Sequence, residues 1–569
     1  MNLKEAQNKL NFKYLLLIFV LASITAFGIF WYSNKSTPSF ITLIKPYQPK
    51  NYTEQDEFRN SAINFIRSVA ESYFGEKEIQ YPKKLETEGS WNITIFLYKD
   101  GKLLTKGSEI REGGSLYSIL EKTTQSILKG ISRNEIQNSR FLITFYRPPE
   151  EPFSIIEYKG EGKEVLNDLV ITRQFTKEQL LKKIEEAKNF LFRMNNSEEG
   201  GFYKKYEATN DFLEKRLHTV YTASIIYTLL NIYDFDKDEK ILEKVPEWTD
   251  FILSMQSKEK ETYGAFHYSY YYEKEEKEMK FPVGTTALSI FTLLDVFHIT
   301  GDPKYLEGAK LGADWLLTMQ MENGVMRPQR IFKNGSWMYY DEESLLYNGQ
   351  VLAALSRLFL ETKEQKYYNA ARKIADHFND RVKKEGCYLG DDYRIKNPIS
   401  SAWVVMALLD FYKINKEEVY KEIIFKCSRD LLKRQQSDPK KILYYGTWTG
   451  AYSTSGNGWL AEVMMEMYRF CREQEGSECG DYKEAVVKVI WWLIQNTYSE
   501  ENSYLIENSE RARGGLFWNY NDKYVRTDSV CHGGNAYVGI INDLEEGILI
   551  SLPEKPLEEI LEEIKKPST

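Results

Sequence analysis

Six segments of this chain repeat one pattern of apolar positions. In Asp341–Glu361, DEESLLYNGQVLAALSRLFLE, residues Leu345, Leu352, Leu355 and Leu358 fall on one helical face, with Ala353 and Ala354 allowing close packing. Asp341, Glu342 and Glu343 are expected in the first turn, where carboxylates complement the helix dipole. Beyond Gly349 the run is almost uncharged, which predicts a helix buried all round. Comparable segments start near Thr222, Thr286, Ser401, Gly458 and Asn535. Each follows another helical stretch with a recurring end: Leu253–Gln256, Leu317–Gln320, Leu432–Gln435 and Trp492–Gln495, with degenerate copies at Leu191–Met194 and Phe378–Arg381. The copies recur at about 60 residues, so twelve helices in six hairpins are predicted, a number that suits a closed ring better than an open solenoid. The loop inside each hairpin mostly carries Gly and an aromatic, as in Gly200–Tyr203, Tyr263–Phe266, Gly386–Tyr388, Tyr445–Trp448 and Gly514–Trp518. The third loop is weaker, with Gly324 alone.

Other patterns precede the repeats. Tyr14–Tyr32 is the one long uncharged apolar run, and its length at 1.5 Å per residue spans about 28 Å, close to a bilayer core. Lys4, Lys9 and Lys13 precede it, which favours a cytoplasmic N-terminus. Bulky Phe27, Phe30 and Trp31 stand where a signal-peptide cleavage site would need small residues, so an uncleaved anchor is expected. Ser33–Lys50 has prolines and no periodicity and reads as a stalk. Glu57–Phe74 then has helical period. Trp91–Leu104 alternates through Ile93, Ile95 and Leu97 and turns at Asp100–Gly101, a hairpin signal. Ser115–Leu128 returns to helical period, and Phe141–Tyr146 and Ile155–Tyr158 are further strands. The expected organisation is an anchor over 1–35, a stalk over 36–54, a small α+β domain over 55–175, the helical repeats over 176–552 and a charged tail over 553–569. Acidic runs such as Glu554–Lys566 read as solvated surface.

Composition narrows the function. A net charge of −8 argues against nucleic acid, which needs a basic face. Aromatics make up 14% of the chain, with 40 Tyr, giving flat amphipathic surface suited to sugars or peptides. The five cysteines, Cys387, Cys427, Cys471, Cys479 and Cys531, are odd in number and never spaced C-x-x-C, which disfavours a disulfide framework or a four-thiolate zinc site. Cys471 and Cys479 could bridge a loop in an exported chain. Sequons stand at Asn34, Asn51, Asn92, Asn195 and Asn334.

The hairpin period and loop style over residues 176–552 resemble the six-hairpin (α/α)6 toroid superfamily, which includes unsaturated glucuronyl hydrolases, other glycosidases, sugar epimerases, lantibiotic cyclases and terpene cyclases. The resemblance implies an (α/α)6 toroid over these residues, so the expected fold is mainly α, with that toroid behind the small α+β domain and the one N-terminal transmembrane helix read above. It also implies a site in a funnel at the N-terminal ends of the inner helices. Fold alone does not fix chemistry. Residues 55–175 are similar in order to the AMMECR-like domain family, whose R-G-C-I-G turn is replaced here by Lys106–Ile110, without the thiol. Cys531-His532-Gly533-Gly534 resembles the C-H-G turn of lantibiotic cyclases. The preceding hairpin lacks the second cysteine, so zinc is not expected, and the absence of a D-x-D-D string disfavours terpene cyclase chemistry.

Residues ahead of the inner helices supply the candidates. Asp341, Glu342, Asp392, Asp528 and His532 are the candidate acids and bases, because glycosidic chemistry needs one group to protonate the leaving oxygen and another to activate water. Tyr340, Tyr393, Arg394, Trp448, Tyr452, Trp518 and Arg526 are the candidate sugar contacts. Asp341 is expected to face the cavity, with Asp392 or Asp528 opposite. The expected protein is a membrane-anchored, exported carbohydrate-active enzyme, a glycoside hydrolase or lyase without cofactor. The alternatives are a sugar epimerase, which a His or Tyr pair would favour, and a non-catalytic glycan-binding scaffold. An enzyme requires two carboxyls, or a carboxyl and His532, facing one cavity.

Overall fold

Trp91, Ile93, Ile95 and Leu97 point to one face and Asn92, Thr94 and Phe96 to the other, and their strand becomes the second in a six-stranded antiparallel sheet. The computed structural model describes residues 53–147, 150–475 and 479–565; the apolar run Tyr14–Tyr32 and nearly all of the stalk lie outside them. The chain opens with α1 (Thr53–Tyr73), then β1 (Trp91–Lys99), β2 (Lys102–Arg111), α2 (Leu116–Ile127), β3 (Arg140–Phe145), β4 (Phe153–Tyr158), β5 (Glu161–Leu166) and β6 (Leu169–Val170). Sheet order is β2-β1-β3-β4-β5-β6. Helices α1 and α2 cover one face around Phe58, Ile66, Trp91, Ile95 and Phe145. Tyr504, from the last loop of the helical ring, packs on the other face with Leu142 and Ile156. The Asp100–Gly101 turn closes β1 onto β2 with both residues at positive φ, and Gly101 abuts Ile506 of the same ring loop so closely that a side chain would collide.

The ring follows. Outer helices are α3 (Lys177–Arg193), α5 (Glu239–Ser254), α7 (Pro303–Thr318), α9 (Gln365–Glu385), α11 (Glu418–Leu432) and α13 (Gly480–Gln495). They alternate with inner helices α4 (Thr219–Asp236), α6 (Val283–Thr300), α8 (Leu345–Thr362), α10 (Pro398–Asn415), α12 (Thr454–Glu475) and α14 (Thr527–Ile540). Each inner helix packs on the next, and α14 packs back on α4, which closes the circle. Helix α6 is long and apolar enough to cross a membrane, but that character is spent on burial in the ring. Long loops stand at the N-terminal ends of the inner helices. Short antiparallel pairs stitch them together: Leu217–His218 with Ser269–Tyr271, Lys280–Pro282 with Gln329–Lys333, and Val525–Arg526 with Lys205–Glu207.

The repeated Gln and Gly have a structural explanation. Gln256 Nε2 donates to Gly264 O and to Gly308 O on the next outer helix, both at 2.9 Å. Gln320 reaches Gly324 O at 3.3 Å and Ala370 O at 2.9 Å, and Gln435 reaches Gly446 O at 2.9 Å and Ala485 O at 2.8 Å. Each amide thus ties a loop to the neighbouring hairpin. Gly264, Gly324, Gly446 and Gly514 have φ between +84° and +88° and lie against a backbone carbonyl of the next outer helix, where a Cβ would come within 2.5 Å or less. Gly324 makes this contact as fully as the others, so the third loop is not the weak one. The fourth is. A Cβ at Gly386 would meet nothing within 4 Å, and there Cys387 is bonded to Cys427 on the next outer helix.

Several expectations need correction. Cys471 and Cys479 do bridge a loop, but Cys387–Cys427 is a second disulfide, which joins two hairpins and which spacing along the chain did not reveal. Helix α8 begins at Leu345, capped by Ser344, because Asp341–Glu343 belong to the loop after the hairpin Gln329–Tyr339. Helix α14 starts at Thr527, ahead of Asn535, so Cys531–Gly534 is helical and not a turn. Its glycines are accommodated because Gly533 meets Leu516 and Tyr537, and Gly534 meets Thr228. Lys106–Ile110 lies inside strand β2. The charged tail forms α15 (Leu557–Lys565), which returns to the six-stranded sheet and packs Leu557, Ile560, Leu561 and Ile564 against the core between that sheet and α1 and α2.

Candidate functional site

Residues spaced three and four apart on each inner helix share a face, and in the ring that face turns to the axis. Asp528, His532 and Asn535 on α14, Ser455, Trp459 and Glu462 on α12, Ile399, Trp403, Met406 and Asp410 on α10, and Leu346, Gln350, Ala353 and Arg357 on α8 all follow this rule. Together with Tyr221, Tyr268, Arg394, Trp518 and Arg526 near the mouth, they enclose a cavity of about 560 Å³. That volume suits one or two sugar rings.

The chemistry sits on the α12–α14 side. His532 Nδ1 is 2.6 Å from Glu462 Oε1, which leaves Nε2 for a ligand. Gly458 makes this pair possible, since a Cβ there would lie 2.9 Å from His532 Cβ. Burial disfavours the imidazolium, but Glu462 and then Asp528 outweigh it and hold the His532 pKa above the ordinary histidine range. Asp528 accepts from Arg526 Nη2 at 2.6 Å, from Arg526 Nε at 3.1 Å and from Ser455 Oγ at 2.8 Å. Arg526 also donates to Tyr221 Oη at 2.8 Å and lies over Trp518 at 4.6 Å. Burial opposes its charge as well, yet Asp528 and Tyr221 keep its pKa raised. Trp403 and Trp459 stack at 3.9 Å, with the His532 ring edge-on to Trp459 at 5.6 Å. Their aromatic faces suit the C–H face of a sugar.

Deeper in the funnel, Arg357 Nε meets Asp410 Oδ2 at 2.8 Å, and Lys413 meets Asp410 Oδ1 at 2.7 Å. Burial opposes the Asp410 charge, but Arg357 and Lys413 outweigh it and hold the pKa below the usual carboxylate range. Nearby Asp295 has no such pairing, and burial pushes it up to about 6. Cys531 is fully buried, which pushes its thiol far above the ordinary range and keeps it protonated. Among the described residues no group of three His, Cys, Asp or Glu is placed to hold a metal ion.

Of the sequence candidates, the structure brings together Asp528, His532, Arg394, Trp518 and Arg526 around the cavity. The others lie outside its lining. The Asp341 side chain is 71% exposed and pairs with Arg327 at 2.8 Å, and Glu342 is exposed beside it. Asp392 Oδ2 accepts Glu343 N at 2.7 Å, so this carboxylate braces the entry to α8. Tyr340 is half-buried in that entry. Tyr393 is half-exposed, with burial first and Glu342 second pushing its phenol up to about 12. Tyr452 is 81% exposed, while Trp448 is 1% exposed and donates its Nε1 to Leu431 O at 2.9 Å as part of the core. Sequence reasoning missed Glu462, Asp410, Arg357, Gln350 and the Trp403–Trp459 stack. Their signal was a lone polar or charged residue within an otherwise apolar inner helix.

No protein-family model matches the sequence, and no curated protein matches it. Solved structures do resemble the fold. Cellobiose 2-epimerase from Bacillus thermoamylovorans aligns at 13% identity over 64% of this chain and 100% of that one, with a TM-score of 0.51. D-mannose isomerase aligns at 14% identity over 65% of this chain and 98% of that one, with a TM-score of 0.50. An inactive variant of an α-1,6-mannanase from Salegentibacter, in complex with α-1,6-mannotriose, aligns at 14% identity over 64% and 99%, with a TM-score of 0.47. At these identities the likeness carries the fold. Residues 177–540 of this chain form an (α/α)6 toroid of six helical hairpins.

Proposed function

We propose that the funnel binds a carbohydrate and transforms it by acid–base chemistry on Asp528 and the His532–Glu462 pair, as a glycoside hydrolase or lyase. The observation that carries this is the convergence of two carboxylates and a histidine on one cavity walled by stacked tryptophans. His532, holding a proton through Glu462, can donate from Nε2 to a leaving glycosidic oxygen. Asp528 is placed to accept a proton from water or to stabilise a developing positive centre.

A second reading has its own support. With Glu462 held at Nδ1 and Asp528 held by Arg526, Nε2 of His532 is the unengaged base, which suits proton abstraction beside a carbonyl, as in epimerisation or isomerisation. One experiment separates the reactions. The protein is incubated with an oligosaccharide panel in deuterated water and the products are analysed by mass spectrometry. Hydrolysis gives new reducing ends, elimination gives an unsaturated end, and epimerisation gives unchanged length with one carbon-bound deuterium. His532→Asn should abolish whichever is seen. A panel left unconverted by a folded protein would favour the non-catalytic scaffold.

We also propose that Tyr14–Tyr32 holds the chain in a membrane with the toroid on the far side from the cytoplasm. The lysines ahead of the run support this orientation, and the two disulfides suit an oxidising compartment. Retention of the N-terminus and resistance to alkaline wash are the expected results. A new N-terminus between Ala22 and Ser36 would overturn the anchor.

A further inference from the structure

The funnel carries more positive charge than its own carboxylates neutralise. Asp528 is engaged by Arg526, Glu462 by His532, and Asp410 by both Arg357 and Lys413. Three further cations remain around the mouth. Arg394 lines the cavity, and its guanidinium has no hydrogen bond or ion pair among the described residues. The acids of its own loop are committed elsewhere, Asp391 Oδ2 to Leu345 N at 2.9 Å and Asp392 Oδ2 to Glu343 N at 2.7 Å. Across the mouth, the Lys204 ammonium lies 5.4 Å from the centre of the Tyr221 ring, and that of Lys280 lies 4.9 Å from the Tyr268 ring. Both rings are cavity walls, and neither lysine has an ion-pair partner among the described residues. Burial lowers the Lys204 pKa, with Arg526 and Arg216 adding to the effect and Glu214 and Asp528 opposing it.

One more feature points to a ligand of the same character: the N-terminal ends of the inner helices face this mouth, adding the positive ends of their dipoles. A chain of net charge −8 that keeps unpaired cations at one cavity selects for anions there.

We infer that the ligand of the funnel is an anionic glycan, whose carboxylate or sulfate groups meet Arg394 on one side and Lys204 and Lys280 on the other. This rests on the assignment of the funnel as a carbohydrate site. Arg matches the planar carboxylate or sulfate with paired donors, and lysines serve as point charges.

Calorimetry with four probes tests it: trigalacturonate, a sulfated chondroitin tetrasaccharide, mannotriose and cellotriose. At least one acidic probe should bind about tenfold or more tighter than both neutral ones, and its affinity should fall as salt rises. If the chondroitin probe wins, the same tetrasaccharide without its sulfates tells carboxylate from sulfate. Arg394→Gln, a change at an exposed residue, should weaken the acidic probe about tenfold and leave neutral binding within about twofold. Neutral sugars binding as tightly, with no effect of Arg394→Gln, would overturn the anionic ligand and leave the carbohydrate site standing. Failure of all four probes would overturn both.

Discussion

His532 Nδ1 and Glu462 Oε1 lie 2.6 Å apart across the α12–α14 contact, one and two turns below the mouth of the funnel. Neither residue can reach the other unless both helices begin where they do and Gly458 lets them approach.

Glu462→Gln removes the main cause of the raised His532 pKa. Because that pKa is raised in the fold, the pair contributes stability that is fully present below the ordinary histidine value of about 6.5 and is lost as pH rises through the folded value. The stability gap between wild type and Glu462→Gln should therefore be widest in mild acid and shrink above neutrality. Histidine NMR titration should show the His532 midpoint moving down in the variant. An unmoved midpoint would remove Glu462 from the account.

The two aspartates separate a cavity role from a surface role. Asp528→Asn should lower turnover about a hundredfold or more, because it removes an ionisable group at the cavity. Asp341→Asn should leave turnover within about twofold, since that carboxylate is exposed and pairs only with Arg327. The opposite ranking in a kinetic assay would move the site to the third loop.

Much of the ring was legible in the sequence, because each inner helix needs an apolar surface all round and each outer helix needs a stripe. The repeated Gln was visible too, although its function, donating to two backbone carbonyls at once, required coordinates. Site residues above the helices were overvalued. Asp341 and Asp392 come before a helix in sequence, and residues there brace or cap as readily as they react. Glu462 and Arg357 were undervalued because a lone charge in an apolar run breaks the pattern used to find the helix. The disulfide Cys387–Cys427 was hidden for another reason: it joins different hairpins, and chain spacing carries no information about that contact.

The loop latches predict graded costs. Gly446→Ala forces a Cβ to 2.3 Å from Lys488 O at φ +88°, whereas Gly386→Ala meets no neighbour and only the backbone strain of φ +84°, ψ −168°, about 1–3 kcal/mol. Denaturant unfolding should therefore show Gly446→Ala the more damaging of the two. Equal costs would mean that the glycine contact does not hold the loops.

At the fourth loop the disulfide takes over that function. Opening Cys387–Cys427 as the double serine variant removes a crosslink across 40 residues, worth about 4 kcal/mol in chain entropy. Hydrogen exchange should quicken first in residues 386–397, the loop that carries Arg394. Unchanged exchange there would show that the loop is held without the bond.

Below the site, Asp410→Asn strands Arg357 without its main buried partner. A loss of about 3–5 kcal/mol is expected, seen as a lowered unfolding midpoint. A shift under about 1 kcal/mol would mean that the pair is solvated in solution.

The most direct test of the central claim is a crystal structure of the Asp528→Asn protein with the best-binding oligosaccharide from the calorimetry. The account predicts a sugar ring in the funnel, with one oxygen or carbon-bound hydrogen facing His532 Nε2 and another part of the chain reaching Arg394. A glycan held instead in the cleft between the six-stranded sheet and the ring, by residues such as Arg67, Arg140 and Glu500, with the funnel empty, would contradict it.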